Sequence, residues 1–377
     1  MFSSHSSVPY WRLSSFYFCY FALLGAWMPF WPLYLQDLGF GAEAIGYLVG
    51  LMMATKIVAP NIWGWLADVS DQRMRVIRVG SFIAFIIFLG IFIDQSFWWM
   101  AAVIGCFSFF WNAVLAQFEV ATLSHLDGRY QRYSQIRLWG SVGFIVAVAC
   151  LGLYFDYYSV AVLPWFIAML LLGIWLSSLL VSEKRINPSA PKQQRSLLQL
   201  VSKPSVVSFL LTCFLLQVSH GPYYTFFSVY LESHGYSRTV TGLLWSLGVL
   251  AEVVVFIVMH RLLQRFRLRH ILLASLVLTI LRWLLIAYFV DSWVILFFAQ
   301  LLHAASFGTY HAYAIEMVRR LFAGGYEGQG MALYSGLSFG AGGAAGAILS
   351  GWLWDASAQL TFVLAAAVGV LAVLISI

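Results

Sequence analysis

Charged residues are scarce in this sequence. They make up 10% of the 377 residues, whereas 62% are hydrophobic, and the mean hydropathy is +0.85. A soluble domain carries roughly 25% charged residues, so the composition excludes a soluble globular protein. Polar stretches long enough for a separate soluble domain are also missing. The sequence therefore predicts a membrane protein.

Cysteine and catalytic signatures are equally sparse. The four cysteines fall in four separate apolar segments without C-x-x-C spacing, which favours packing over a disulfide or metal framework. No H-E-x-x-H, G-x-S-x-G or Walker A signature is present, which excludes the commoner catalytic classes and ATP-driven pumping. The glycine-rich segment 335–351 lies in an apolar run, where small residues let helices pack closely. We therefore expect no enzyme, no metal site and no cofactor.

Long hydrophobic runs dominate what is present. Twelve have roughly the 20 residues that a helix needs to cross a hydrocarbon core of about 30 Å. They cover residues 13–35, 45–66, 76–93, 97–119, 136–155, 159–181, 206–231, 240–259, 271–290, 293–315, 332–353 and 360–377. The first run is too long for a removable signal peptide, so we expect it to be retained. We also expect the natural chain to extend past Ile377.

The distribution of charge predicts the orientation, because Lys and Arg stay on the cytoplasmic side. Basic clusters occupy alternate loops, at 73–78, 129–132, 184–203, 261–269 and 319–320. The other loops are mainly acidic, and Arg238 is their only base. We therefore predict a multi-pass protein of the bacterial inner membrane with both termini in the cytoplasm. These bases are topology signals, so we expect no nucleic-acid partner.

The sequence contains an internal repeat. Segments 30–46 (FWPLYLQDLGFGAEAIG) and 226–242 (FFSVYLESHGYSRTVTG) align without a gap, and the same register brings Lys56 onto Glu252. Parallel repeats are typical of secondary transporters, whose substrate sites lie near the midplane between the repeats. We predict an all-α fold of two pseudo-symmetric six-helix bundles, at 1–181 and 204–377, joined by a cytoplasmic linker at 182–203. A central cavity should lie between them.

The loop after the second run carries a recognisable motif. Its sequence GWLADVSDQRMR (64–75) resembles the loop signature of the major facilitator superfamily, with Gly64, Asp68, Arg73 and Arg75 at the matching positions. The resemblance implies a loop that latches neighbouring helices on the cytoplasmic face. The match is partial, since Val69 stands where the family usually has a base.

Further segments resemble one branch of this superfamily, the phenylpropionate permease group, which stands near the lactose permease among proton symporters. They are RLWGSVGF (137–144), GLLWSLGVLAEVVVF (242–256), LRW (281–283) and QLLHAASFGTYHAYA (300–314). The resemblance covers essentially the whole chain. It implies the major facilitator fold and proton-coupled uptake by alternating access.

Five charged or titratable residues match functional positions of the lactose permease. The resemblance implies that Glu119 and Arg137 bind substrate, and that Glu252, Arg282 and His303 couple transport to protons. Two positions depart from the pattern. The second coupling carboxylate corresponds to Ser306 and a nearby lysine to Gln300, so the permease's proton path cannot be transferred unchanged.

The residues alone leave alternatives for each buried charge. Such groups cost at least roughly 2.5 to 3.5 kcal/mol on insertion scales and usually face the bundle interior. Glu252 is either a structural partner of Lys56 or Arg282, or a carboxylate whose protonation changes when a cation moves. Arg282 pairs with a carboxylate or with a substrate anion. His303 is a satisfied core residue or a proton relay.

The remaining candidates are also open. Glu119 and Arg137 form a latch between helices or a substrate site, and Lys56 is a substrate counter-ion or a partner of Glu252. His220 and His311 are weaker candidates, because most such histidines serve packing. The aromatic residues that could stack on a substrate ring are Trp27, Trp31, Trp111, Trp139, Tyr223 and Tyr224.

The inventory of inward charges favours an anionic substrate. Three bases, Lys56, Arg137 and Arg282, face two acids, Glu119 and Glu252. We predict proton symport of an aromatic carboxylate such as 3-phenylpropionate, with Glu119, Arg137, Lys56 and Trp139 as the substrate site.

The sequence leaves three alternatives to this function. A sugar or nucleoside symporter of the same fold is the main alternative. A drug/proton antiporter is disfavoured because the fifth run has no Gly-Pro ending, and a non-transporting sensor because no output domain fits. We expect a functional monomer driven by the proton gradient.

Overall fold

A computed structural model describes residues 8–126, 131–184 and 197–376. In this part of the chain, twelve helices are long and apolar enough to cross a membrane, which confirms the predicted all-α membrane fold. They are α1 (Tyr10–Asp37), α2 (Ala42–Ser70), α3 (Arg73–Phe92), α4 (Phe97–Leu126), α5 (Arg132–Tyr157), α6 (Val160–Leu179), α7 (Pro204–Ser233), α8 (Arg238–Arg265), α9 (Leu268–Tyr288), α10 (Trp293–Leu321), α11 (Glu327–Trp354) and α12 (Ala358–Ser376).

Several helices are longer than the apolar runs that predict them. Helices α1, α2 and α4 have 28, 29 and 30 residues, and at 1.5 Å per residue they span roughly 42 to 45 Å. That exceeds the hydrocarbon core of about 30 Å and reaches into the polar interfaces. The apolar runs of the sequence therefore predict the middle of each of these helices but not its ends.

The predicted linker at 182–203 is partly helical, since a short helix forms at Leu197–Val201. Residues 185–196 of the linker, the predicted inner base Arg129 and the last residue, Ile377, lie outside the described residues.

Three helices are interrupted in their interior. Helix α7 is interrupted at His220, directly before Gly221 and Pro222; proline lacks the N–H group that would continue the helical bonding. Helix α10 contains a π-helical segment at Ala304–Thr309, and α11 contains one at Gly336–Gly342. Segments of this kind occur frequently at functional sites.

The first helix of each repeat, α1 or α7, ends in the same way. Gly39 after α1 and Gly235 after α7 have φ angles of 86° and 77°, a conformation that favours glycine. In each copy the following amide closes the helix with a bond to a leucine carbonyl, from Phe40 to Leu35 and from Tyr236 to Leu231, both at 3.1 Å. The shared residues therefore encode the same helix cap.

Glycines also bring the two copies into contact. A Cβ atom on Gly46 of α2 would lie 2.8 Å from the Ala347 carbonyl oxygen of α11, and one on Gly242 of α8 would lie 2.6 Å from the Val148 carbonyl oxygen of α5. Both helix pairs cross there with backbone against backbone. Asp156 at the end of α5 adds a cap, because its carboxylate accepts from the Arg238 amide at 2.6 Å. The halves are thus joined at the ends where α2 and α8 begin.

Candidate functional site

A buried arginine forms the centre of the candidate site. Arg282 of α9 has no exposed surface, and a guanidinium stays charged under physiological conditions. Its Nη1 lies 2.8 Å from His303 Nδ1 and donates to Ser306 Oγ at 3.1 Å. Its Nη2 donates to Gln300 Oε1 at 3.1 Å. All three partners come from α10, so the arginine ties α9 to α10 across its π segment.

Glu252 of α8 completes this cluster through His303. The Glu252 Oε1 atom lies 2.7 Å from His303 Nε2, and both side chains are largely buried. Arginine can only donate hydrogen bonds, so His303 Nδ1 must accept from it. The proton of the neutral ring then sits on Nε2 and points at Glu252. The result is a one-way chain of donation, from Arg282 to His303 to Glu252.

The polarity of this chain restricts where a proton can bind. A doubly protonated His303 would have two N–H donors, and one would face the Arg282 donor. His303 therefore stays neutral while its bond to Arg282 persists. A carboxyl group accepts from Nε2–H whether it is protonated or ionised. Glu252 is the member of the chain that can gain and lose a proton without breaking these bonds.

The charges of the cluster balance only when Glu252 is ionised. Among the described residues, no carboxylate lies within salt-bridge distance of Arg282, and Glu252 is linked to it through the neutral ring of His303. The positive charges of Arg282 and Arg137 both act on Glu252. Protonation of Glu252 would leave the buried guanidinium without a counter-charge.

Tyr223 of α7 holds the arginine from another side. Its ring centroid lies 4.1 Å from Arg282 Cζ, within the range of a cation–π contact. Its hydroxyl donates to Gln300 Oε1 at 2.9 Å, which keeps that oxygen directed at the guanidinium. Gln300 and Ser306, where the sequence departs from the lactose permease pattern, thus supply neutral oxygen acceptors to Arg282.

The second predicted pair lies in the first half of the chain. Arg137 Nε of α5 is 3.7 Å from Glu119 Oε1 of α4, and both side chains are about one-third exposed. The Arg137 guanidinium also stacks on Phe21, with Cζ 3.9 Å from the ring centroid. An accessible cation beside an aromatic face can bind a carboxylate attached to a ring.

Two predicted substrate residues do not join this pair. Lys56 Nζ contacts Met53 Sδ at 3.4 Å. None of the described carboxylates forms a salt bridge with Lys56, and Glu252 contacts His303 instead. Trp139 lies two residues beyond Arg137, which places it about 200° around the helix. Its indole donates to the Tyr10 hydroxyl at 3.0 Å. In this structure Trp139 therefore contacts α1 at Tyr10, whereas Arg137 contacts α1 at Phe21.

The predicted latch loop brings three of its four residues together. Arg73 Nη2 bonds Asp68 Oδ1 at 2.5 Å, and its Nη1 donates to Gln117 of α4. A Cβ atom on Gly64 would lie 3.3 Å from Gln117 Nε2, so glycine leaves room for this amide. Arg75 bonds its neighbour Gln72 at 3.0 Å. The loop thus connects α2, α3 and α4 through Arg73.

Sequence reasoning underestimated or missed several features of the site. The π segments have no distinct residue pattern, and Tyr223 was only one of six aromatic candidates. His311 was only a weaker candidate in the sequence, and its Nδ1 atom lies 3.0 Å from the Tyr334 hydroxyl. Within the described residues, no group of three or more His, Cys, Asp or Glu side chains is positioned to hold a metal ion.

Two repeats of six spanning helices around buried charges define the class of secondary transporters. The sequence model of the MFS_1 like family matches residues 10–364. The chain belongs to this family, which confirms the resemblance to the major facilitator superfamily.

Individual relatives are transporters as well. The chain is 27% identical to the probable 3-phenylpropionic acid transporter of Escherichia coli (strain K12), over 80% of each protein. It is 26% identical to the maltose permease of Geobacillus stearothermophilus, over 96% of this chain and 92% of that one. Its fold is similar to that of the nucleoside transporter NupG, with a TM-score of 0.80 at 18% identity, covering 97% of both chains. The chain is a multi-pass membrane transporter, and the prediction that it is not an enzyme is confirmed.

Proposed function

We propose that this chain is a proton symporter that imports a small aromatic carboxylate across the bacterial inner membrane by alternating access. It would work as a monomer, without a cofactor, on the energy of the proton gradient. One observation carries the proposal: the buried guanidinium of Arg282 reaches its counter-charge, Glu252, only through the neutral ring of His303.

Charge balance couples the proton to the solute. When Glu252 takes up a proton, the cluster gains one net positive charge in a region of low dielectric constant. A substrate carboxylate held by Arg137 and Lys56 would restore the balance. Opposite charges about 4 Å apart attract by roughly 4 kcal/mol at an effective dielectric constant near 20, before the cost of removing the substrate from water. Proton and anion therefore bind best together.

The proposed binding surface lies in the first half of the chain. Arg137 supplies an accessible cation stacked on Phe21, and Lys56 supplies a second cation without a carboxylate partner among the described residues. An aryl ring can pack on Phe21 while its carboxylate contacts these cations. The printed name of the Escherichia coli relative, a probable 3-phenylpropionic acid transporter, supports this substrate class.

A sugar or nucleoside is the second candidate substrate. The Glu119–Arg137 pair offers an acceptor and a donor 3.7 Å apart, an arrangement that also suits hydroxyl groups. A maltose permease and a nucleoside transporter are among the similar proteins. Against this candidate, neither hydroxyl class would compensate the positive charge that appears on protonation of Glu252.

Uptake by purified protein in proteoliposomes tests these proposals. With an acidic exterior, labelled 3-phenylpropionate should accumulate above its external concentration, and a protonophore should abolish the accumulation. Unlabelled aromatic carboxylates should compete, whereas maltose and uridine should not. Accumulation that ignores the pH gradient would contradict the coupling, and competition by maltose or uridine would favour the second candidate. Failure to transport any of these solutes would favour a non-transporting role.

A further inference from the structure

Three aromatic rings are aligned along α10, starting at the proposed proton site. His303 and Phe307 are nearly parallel, with ring centroids 5.6 Å apart and an interplanar angle of 13°. Phe307 and His311 follow at 6.0 Å and 12°. Eight residues of a regular α-helix would rotate His311 about 80° away from His303. The wider turn of the π segment at Ala304–Thr309 reduces this rotation and keeps both imidazoles on one face.

His311 occupies the end of this ring column away from Glu252. Its side chain is half-buried, and its Nδ1 atom lies 3.0 Å from the hydroxyl of Tyr334 on α11. Phe339 of α11 packs edge-on against it, with centroids 5.8 Å apart. The titratable or charged groups found to act on His311 from other helices are Tyr334 and Arg137 of α5. His311 thus places a second imidazole between Glu252 and the C-terminal end of α10, where Arg319 and Arg320 lie.

The hydrogen-bond partners give the two histidines different chemistry. His303 faces Arg282, which only donates, so its Nδ1 cannot also become a donor. His311 faces a tyrosine hydroxyl, which donates or accepts. His311 can therefore take up a proton at either nitrogen and keep its bond to Tyr334, while His303 cannot become doubly protonated without losing Arg282. Imidazole is also the side chain best suited to exchange protons near neutral pH.

We propose that His311, oriented by Tyr334, is the relay that carries the transported proton from Glu252 to cytoplasmic water. The inference rests on the proposed proton coupling. The O–H bond of protonated Glu252 breaks, a water molecule passes the proton on, and an N–H bond forms on His311. His311 then releases the proton to bulk water and returns to neutral. These steps transfer a proton only, so no group is oxidised, reduced or consumed.

The test compares two kinds of transport in the same proteoliposomes. His311→Ala should slow uptake driven by the pH gradient by roughly tenfold or more, because a positioned proton acceptor is lost. Exchange of internal for external 3-phenylpropionate needs no net proton release and should keep its wild-type rate. Millimolar imidazole inside the vesicles should restore driven uptake. Tyr334→Phe keeps the ring but removes the hydroxyl, and should shift the pH profile of driven uptake.

His125→Ala provides a matched control. This histidine of α4 is also buried, but its Nδ1 bonds the Ala121 carbonyl oxygen at 2.8 Å within its own helix, so driven uptake should not change. If His311→Ala is poorly folded by size-exclusion chromatography, His311→Gln replaces it.

Two outcomes would overturn the relay. One is unchanged driven uptake in the His311 variants, and the other is equal loss of driven uptake and exchange without rescue by imidazole. A wild-type protein that ignores the pH gradient would instead reject the proposed coupling itself, so the two failures are distinguishable.

Discussion

At the scale of single residues, hydrogen-bond polarity decides what the buried cluster can do. A conventional ion pair would place a carboxylate directly on Arg282. Here the guanidinium meets the nitrogen of His303 and the oxygens of Ser306 and Gln300, all uncharged. Removing a partner of a buried charge is strongly destabilising, so the three acceptors hold Arg282 while Glu252 remains free to change its protonation.

The first prediction concerns Glu252→Gln. Glutamine is permanently neutral, like the protonated carboxyl, and still accepts a hydrogen bond from His303. Accumulation against a gradient should be lost, while exchange of labelled for unlabelled substrate continues. Glu327→Gln, at the exposed start of α11, should accumulate substrate like the wild type. Unchanged uphill accumulation by Glu252→Gln would remove this residue from the coupling step.

At the scale of helices, glycine determines where the two halves touch. Gly46 and Gly242 occupy equivalent places in the repeat and mark equivalent crossings, α2 with α11 and α8 with α5. The proposed alternating access would require these crossings to open and close, and backbone contact without side chains lets the helices approach closely. The repeat therefore preserves a contact surface as well as a helix cap.

The second prediction tests these crossings. In Gly46→Val and Gly242→Val the new side chain would overlap the carbonyl of Ala347 or Val148, so this end of the molecule cannot close and the uptake rate should fall by roughly tenfold or more. Substrate binding, measured by equilibrium dialysis, should survive. Gly41→Ala is the control, because nothing lies within 4 Å of its Cβ position. Normal uptake by both valine variants would show that this end need not close so tightly.

The third prediction separates two arginines of the latch loop. Arg73→Ala leaves the buried oxygen of Gln117 without its donor, which costs about 1 to 3 kcal/mol. Arg75→Ala removes only an exposed contact, and such changes stay within about 0.5 kcal/mol. Thermal unfolding in detergent should therefore show a clear fall in Tm for Arg73→Ala and almost none for Arg75→Ala. Equal shifts would contradict the described latch.

At the scale of the whole molecule, charge predicts which way the protein faces the membrane. The basic loops and the acidic loops alternate along the chain, and the contacts between Asp156 and the start of α8 lie on the acidic side. If that side is external, the structure is joined at its outer end. The substrate route and the proposed proton release would then lead to the cytoplasm.

The fourth prediction checks this orientation. In a cysteine-free variant, Asp94→Cys between α3 and α4 should react in intact cells with a membrane-impermeant maleimide. Glu327→Cys, at the exposed start of α11, should react only after the membrane is permeabilised. The opposite pattern would reverse the topology and place the joined end in the cytoplasm.

Much of the fold could be predicted from the sequence, and less of the site. Apolar runs located all twelve helices, because crossing hydrocarbon requires about 20 apolar residues whatever the neighbours are. The π segments of α10 and α11 were not predicted, since they depend on how a helix adapts to its packing partners. The place of Trp139 in the substrate site stays a prediction, and in the structure its indole bonds the Tyr10 hydroxyl.

By itself, the sequence determined the number of spanning helices, the twofold repeat and the set of charges that must be hidden from lipid. These follow from local chemistry: hydrophobic length, glycine conformation and the cost of charge in hydrocarbon. Only the tertiary structure decided which groups meet. Glu252 contacts His303 rather than Lys56, and His311 faces Tyr334, because partners on different helices depend on crossing angle and rotation, which single residues do not specify.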